Sequence, residues 1–454
     1  METERPLAQF LWQRLLSNRL RRFQIVLGPR RVGKTTVMYQ TVRRLLSSGL
    51  SPSRLWWFRL DHPILLMTSL EDLVRLAIDT TGATASEPVY LFFDELTYGR
   101  DWDLWLKTFY DEGWPVRITG TSSSSAALRE RHLESGVGRW EEQYLAPYLF
   151  DEFLELIGEL PAFETEKNLR STLENLVTAR IYEASLVPLR QRFSLVGGFP
   201  ELLMHEAARS EDDETRLLRS QRVLRSDAVE RAIYKDIPQA FGVDDPLLLE
   251  RMLYTLAGQM TGLLSPSALS RDLGLSNPTF DRYLSYLERA FLVFTLPNYS
   301  GNEGTRQRRG RKLYFVDGAV RNAALQRGKA PLSDPREMGL LVENLAASHL
   351  QGLSQQTQIR LYHWRHQGSE VDLVYDDPKG PLAFELGSSA THTRKGLEAF
   401  LRAHPRFEGG AWYVAPGLPA TAPGEIAPWG TLPLELFLLG VGRQAAQALR
   451  QRLA

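Results

Sequence analysis

Over residues 1–149 two apolar patterns alternate along the chain. Apolar residues return every three or four positions in Pro6–Leu16, Val37–Leu46 and Ser69–Ile78, which predicts helices. Between them lie short, mainly apolar runs, Gln24–Leu27, Leu55–Leu60 and Val116–Thr119, and the continuous run Val89–Phe93. Strands buried on both faces lack polar alternation, and helices between such strands predict a parallel sheet covered on both sides.

From Phe150 to Tyr234 no strand pattern survives, and the segment reads as helical with a break at Gly197-Gly198-Phe199-Pro200. Leu247–Phe294 holds three helical stretches. Two of them, Ser265–Leu275 and Asn277–Ala290, have helix–turn–helix spacing with Gly274 at the turn. A polar, Gly-rich loop, Asn298–Arg311, leads into a strand at Lys312–Val316. Past Pro331 the pattern predicts a helix, Met338–Leu350, and strands at Gln358–Trp364, Glu370–Tyr375, Leu382–Glu385 and Gly410–Val414, followed by a Pro-rich surface loop, Ala415–Pro428. The expected units are 1–149, 150–240, 241–325 and 326–454.

A chain of 454 residues exceeds one ordinary core, in keeping with several units. With 43% apolar and 24% charged residues the balance is that of a globular protein. No apolar run reaches the ~18 residues of a membrane helix. Met1–Pro6 is charged, unlike a secretion signal. A cytoplasmic protein without a membrane partner is therefore expected. The absence of cysteine excludes a disulfide scaffold, a thiol nucleophile and a Cys-ligated zinc. Fifty-four basic and 54 acidic residues cancel, so any nucleic-acid surface must be local.

The sharpest chemical signal is Gly28-Pro29-Arg30-Arg31-Val32-Gly33-Lys34-Thr35, a full P-loop pattern between a strand and a helix. The glycines let backbone amides turn around phosphate oxygens, and the helix adds its positive N-terminus. Lys34 can reach the β- and γ-phosphates, and the Thr35 hydroxyl can ligate Mg²⁺. Downstream, the run Val89–Phe93 ends in Asp94-Glu95. A carboxylate there suits Mg²⁺, with Glu95 orienting the attacking water. The run Val116–Thr119 leads to Gly120-Thr121-Ser122-Ser123, whose hydroxyls, Thr121 first, can sense a γ-phosphate. Arg139, with Arg129 and Arg131 as rivals, stands where a finger toward a neighbouring subunit's nucleotide is expected.

These residues resemble the AAA+ ATPases of bacteria and archaea that carry a nuclease-like C-terminal domain of unknown function. The matching segments are residues 28–36, ending in Thr35-Thr36, then Phe93-Asp94-Glu95, residues 118–123, Gly138-Arg139, Leu145–Phe153, Gly197–Glu201 and Lys312–Asp317. The resemblance spans nearly the whole chain. It implies a five-stranded parallel AAA+ sheet, a helical lid, a winged helix-turn-helix and a C-terminal restriction-nuclease-like α/β domain. It further implies ATP or ADP with Mg²⁺, and self-association into a ring, often hexameric. Pro200, in the lid motif, would approach the adenine.

In Asn277–Ala290 the pattern exposes Asn277, Thr279, Arg282 and Arg289 and buries Phe280, Tyr283, Leu284 and Leu287. Arg306, Arg308, Arg309, Arg311 and Lys312 then form a wing expected to track a DNA backbone. Glu343, Glu370, Asp372 and Glu385 resemble the acidic set of restriction-type nucleases, but the lysine due two residues after Glu385 is Gly387, and the nearest substitute is Lys395. Nuclease activity is therefore not expected. The sequence is read as an Mg²⁺-dependent ATPase driving conformational change on nucleic acid. The alternative is a slow ATP/ADP switch that regulates assembly with a protein partner.

Overall fold

The computed structural model describes residues 3–17, 21–123, 138–179, 183–206, 213–300, 310–387 and 394–452. Its first sheet is built from β1 (Phe23–Leu27), β2 (Leu55–Arg59), β3 (Val89–Asp94), β4 (Val116–Ser122) and β5 (Trp140–Tyr144). The order is β2-β3-β4-β1-β5 and every pairing is parallel. This is the expected AAA+ arrangement. The apolar runs expose β1 to β4, but β5 escapes them. It is an edge strand, Trp-Glu-Glu-Gln-Tyr, whose Glu142 faces solvent, so it needs no continuous apolar run.

Side-chain alternation divides the sheet between two cores. Phe23, Ile25 and Leu27 join a cluster with Phe93, Leu106 and Ile118 on one face. Val26 points to the other face and joins a far larger cluster running from Leu7 through Phe150, Phe193, Leu284 and Leu345 to Leu449. That cluster passes through all four units expected from sequence, so a single apolar interior ties them together.

The second unit is helical, with helices at Phe150–Ile157, Leu169–Thr178 and Leu186–Val196. A longer helical rod then runs from Asp213 to Phe241, with wide π-type turns at Arg225–Glu230 and Ala232–Asp236. Helices Pro266–Leu273 and Asn277–Arg289 form the helix–turn–helix, with Gly274 in the left-handed conformation between them. An antiparallel hairpin follows, β6 (Val293–Leu296) with β7 (Lys312–Phe315).

The C-terminal module has the sheet order β12-β11-β10-β9-β8. Its strands are β8 (Leu361–His366), β9 (Ser369–Tyr375), β10 (Leu382–Leu386), β11 (Ala411–Ala415) and β12 (Gly430–Pro433). Its last helix, Leu434–Gln451, packs on helix Pro335–Thr357 and on helices of the lid. A buried ion pair, Arg190 Nε to Glu435 at 2.9 Å, crosses that junction. At the same junction the Phe150 backbone N–H donates to His349 Nε2 at 2.9 Å. Among the described residues no helix is long and apolar enough to cross a membrane.

Candidate phosphate site and acidic cluster

The chain leaves β1 at Leu27 and turns at Gly28, where an added Cβ would lie 2.3 Å from the Leu145 carbonyl oxygen. Only glycine lets the backbone pass between β1 and the segment after β5. Gly33 has φ +90° and caps helix Lys34–Ser47. Lys34 lies at the start of that helix and is 6% exposed. Its Nζ donates to the Gly28 and Pro29 carbonyls at 3.0 and 2.9 Å. Burial pushes the Lys34 pKa down to about 8, with Glu95 pulling the other way.

The neighbouring strand ends supply the carboxylates. Thr35 Oγ1 donates to Asp94, 3.0 and 3.1 Å from its two oxygens, and Thr121 Oγ1 donates to Asp94 Oδ1 at 2.7 Å. The Glu95 N–H in turn donates to Thr121 Oγ1 at 2.9 Å, and Ser123 Oγ donates to Glu95 Oε1 at 3.2 Å. Glu95 has φ +57°, a left-handed conformation uncommon for a side-chain-bearing residue. Burial pushes its pKa up, opposed by Lys34 and Arg30. Amides, ammonium, hydroxyl and two acids thus converge at the C-terminal ends of β1, β3 and β4. That donor set fits a nucleotide phosphate chain with Mg²⁺: the loop from Gly28 to Gly33 and Lys34 would hold phosphate, and Thr35 with Asp94 would hold the metal.

Both P-loop arginines are gripped by the lid. Arg30 meets Asp236 through two parallel bonds, Nε to Oδ2 and Nη2 to Oδ1, each 2.5 Å. Burial opposes the Arg30 charge, but Asp236 more than offsets it and holds the pKa above its usual value. Arg31 bonds Glu201 at 2.8 Å and also pairs with Asp227. Asp227 and Asp236 both sit in the π-type turns of the long lid rod. Of these three lid acids only Glu201, the last residue of the Gly197–Glu201 lid segment, carries a sequence signal; Asp227 and Asp236 carry none, and Asp236 lies 206 residues from Arg30.

Gly197-Gly198-Phe199-Pro200 positions this lid. An added Cβ on Gly198 would lie 2.2 Å from the Tyr148 carbonyl oxygen, and Gly197 has φ +78°. The Gly198 N–H donates to Asp317 Oδ2 at 2.7 Å, while Asp317 Oδ1 caps the helix Gly318–Ala324 through the Ala319 N–H at 2.8 Å. Pro200 comes to rest over Gly33, 3.8 Å from where its Cβ would be. The lid motif, the P-loop and the segment after β7 are thereby in register.

Arg139 lies away from this site. Its carbonyl accepts from the Phe23 N–H, at the start of β1 rather than the P-loop end. Its guanidinium pairs with Asp111 at 2.8 and 2.9 Å. It therefore does not meet the phosphate site of its own chain. Arg129 and Arg131 lie outside the described residues, as do Arg306, Arg308 and Arg309.

The expected wing needs correction at its last member. Lys312 is 3% exposed and turned inward, where its Nζ meets Glu370 at 2.6 Å and Glu343 and Asp372 at 2.8 Å each. A cation in that position cannot contact a phosphate backbone. Arg311 is also engaged, with Asp281 at 2.7 Å. Placing a lysine at the start of an apolar strand gives no hint that three acids await it.

Of the acidic set, Glu343, Glu370 and Asp372 are brought together around Lys312. Glu385 stands beside them, with Oε2 accepting from the Leu397 N–H at 3.1 Å and burial pushing its pKa up to about 8. With Lys312 between the acids, no His, Asp and Glu side chains among the described residues group closely enough to hold a metal. Gly387 has a local reason for lacking a side chain, since an added Cβ would lie 2.0 Å from the Tyr413 hydroxyl. Lys395 is exposed, so the lysine that reaches the acids is Lys312 instead.

Residues 20–154 match the family described as AAA domain, and residues 189–330 and 338–418 match two domains of unknown function. An uncharacterized protein of Methanocaldococcus jannaschii is 24% identical over 385 residues, covering 83% of this chain and 78% of the relative. A second from the same organism is 24% identical over 401 residues, covering 86% and 80%. Among solved structures, the Aeropyrum pernix Orc1 protein in complex with DNA is 13% identical, with 72% of this chain and 92% of that one covered at a TM-score of 0.30, too low to carry any argument.

Proposed function

We propose, from the match of residues 20–154 to the AAA domain family, that the chain works as an AAA+ P-loop ATPase of the bacterial and archaeal type whose nucleotide state sets the position of the lid and, through it, of the helix–turn–helix and C-terminal module. The observation that carries this reading is the double grip of lid acids on the P-loop: Arg30 to Asp236, and Arg31 to Glu201 and Asp227. Bound Mg²⁺–ATP supplies the phosphoanhydride bond to be hydrolysed. The Gly28–Gly33 amides and Lys34 would hold its phosphates, Thr35 and Asp94 would hold the metal, and Glu95 would accept the proton of the attacking water. Ser123 and Thr121 fix Glu95 from either end, its carboxylate and its N–H. Phosphate charge beside Arg30 and Arg31 competes with the lid acids, so ligand chemistry and lid position share the same two guanidinium groups.

The lid then passes its position on through Gly198 and Asp317 to the chain after β7. A slow switch acting on assembly with a partner fits this continuous interior best. The second reading is a ring-forming motor on nucleic acid, favoured by exposed Asn277 and Arg282 on the second helix of the helix–turn–helix. Steady-state ATPase with and without single- and double-stranded DNA separates them: the motor requires stimulation and the switch does not. Lid movement is read by spin labels at Leu76→Cys and at Leu218→Cys on the lid rod, both exposed and in a chain free of other cysteines. A distance distribution unchanged by ATP in the Glu95→Gln background would overturn both readings.

A further inference from the structure

We propose that the acidic pocket of the C-terminal module is filled from within the chain: the Lys312 ammonium occupies the point on which its carboxylates converge and keeps divalent ions out, so that the pocket serves as a charged joint between hairpin and module. This stands apart from the nucleotide reading and rests on other residues.

The strand that carries Lys312 is fixed independently of its charge. The Asn344 side chain accepts from the Phe315 N–H at 2.8 Å and donates to the Phe315 carbonyl at 3.1 Å, pairing the strand edge that β6 leaves open. Helix Pro335–Thr357 therefore holds β7 and also presents Glu343, next to Asn344. From the other side β9 presents Glu370 and Asp372. These carboxylates come from two elements and converge on one point, a donor arrangement suited to a cation.

The ammonium has three N–H groups and finds three carboxylates at 2.6 to 2.8 Å, so its donors are spent within the pocket. The acids have further partners that hold them open to it. Tyr314 Oη donates to Glu343 at 2.9 Å, and the Leu386 N–H donates to Asp372 Oδ2 at 2.8 Å. Burial alone would discharge Lys312, but Asp372 and Glu343 hold its pKa well above the usual value, so it stays a cation and cannot act as a base. Burial also pushes Glu343 up to about 7, against Lys312, which trims the excess negative charge.

The spacing suits an ammonium better than a small metal. Nitrogen-to-oxygen distances of 2.6 to 2.8 Å exceed the ~2.0–2.1 Å that Mg²⁺ requires. A tethered ammonium also never has to be captured from solution, whereas an incoming ion must first displace it. The pocket thus excludes metal while Lys312 is in place, and the β6–β7 hairpin is pinned to the C-terminal module by the same contact.

The test uses the full chain without nucleotide, which leaves the P-loop metal position without its phosphate ligands. Terbium luminescence, sensitised by nearby Tyr314, reports cation binding. The wild type is expected to show no terbium signal that Asp372→Asn removes. Lys312→Ala and Lys312→Met are each expected to gain such a signal with at least about tenfold tighter binding, and Lys312→Ala/Asp372→Asn to lose it again. A wild-type signal abolished by Asp372→Asn would overturn the proposal, as would folded lysine variants that bind no terbium. A second readout needs no lysine variant. With eight lysines in the chain, acetylation by an activated ester can be followed residue by residue. Lys312 should react at least about tenfold more slowly than exposed Lys395, and Glu343→Gln/Asp372→Asn should speed it. Equal reactivity of the two lysines in the wild type would also overturn it.

Discussion

Arg30 of the P-loop and Asp236 of the lid share two parallel hydrogen bonds of 2.5 Å, joining residues 206 apart in sequence. The pair is largely buried, at 14% and 8% side-chain exposure, so each charge depends on the other. Removing one partner of such a pair typically costs about 3–5 kcal/mol, because the survivor is left buried and uncompensated. Asp236→Ala should therefore lower the thermal midpoint clearly. Arg30→Met/Asp236→Leu should recover much of the loss. A double variant as unstable as the single would show that the pair is not the source.

The Asp94–Glu95 end of β3 separates binding from turnover. Lys34→Ala should abolish nucleotide binding, measured with a fluorescent ATP analogue. Glu95→Gln should still bind but lose about 10²- to 10⁴-fold in turnover, the span expected of a lost general base. Ser123→Ala should lower turnover more than affinity, since its hydroxyl donates to the Glu95 carboxylate. Wild-type turnover in Glu95→Gln would assign the water to another group.

Proton linkage follows from Lys34. Its pKa is about 8 when it rests on its own loop carbonyls, and phosphate charge beside it raises that value. Below pH 7 Lys34 is already protonated, so binding takes up no proton there. Near pH 8 about half the molecules must gain one on binding. Calorimetry in two buffers of different ionisation enthalpy should therefore give diverging apparent enthalpies at pH 8 that merge at pH 6.5. Coinciding values at pH 8 would mean that Lys34 stays charged throughout.

Arg139 cannot serve the site of its own chain, as it sits at the opposite end of the sheet and pairs with Asp111. If it serves a neighbour, ATPase per subunit should rise with protein concentration, and Arg139→Ala should flatten that rise without loss of ATP binding. A finger supplied between subunits contributes about 10³- to 10⁵-fold. Specific activity constant across a dilution series that dissociates any oligomer would remove Arg139 from the mechanism.

Buried His349 sets a lower pH limit. It accepts the Phe150 N–H while its other ring nitrogen bonds the Leu345 carbonyl, and burial pushes its pKa down to about 3. A histidine kept neutral in the fold but free to protonate at ~6.5 when unfolded withdraws stability as pH falls below 6.5. His349→Gln should flatten the stability–pH curve between pH 6.5 and 4, measured by denaturant unfolding. An unchanged slope would place the acid sensitivity elsewhere.

Local chemistry was enough to expose the phosphate cradle. Gly28, Gly33, Lys34 and Thr35 are close in sequence because a turn between strand and helix must carry them all, and Asp94-Glu95 ends a run whose burial is written in five apolar residues. The same holds for β1, β3 and β4, whose largely apolar runs reflect burial inside the sheet, while edge strand β2 shows itself through Trp56, Trp57 and Phe58. Edge strand β5 was not legible, since Glu141 and Glu142 break any apolar run in it and its edge position leaves Glu142 in solvent. Tertiary structure alone decided the partners of the charges. Arg30 could have met solvent, phosphate or any acid, and only the packing of the long lid rod brings Asp236 to it. Lys312 reads as one more cation after an arginine-rich loop, yet its strand is paired by Asn344 and its side chain is turned into Glu343, Glu370 and Asp372. Backbone patterns are short-range and repeat along the chain, whereas a charge finds its partner across the fold, through contacts that no local period encodes.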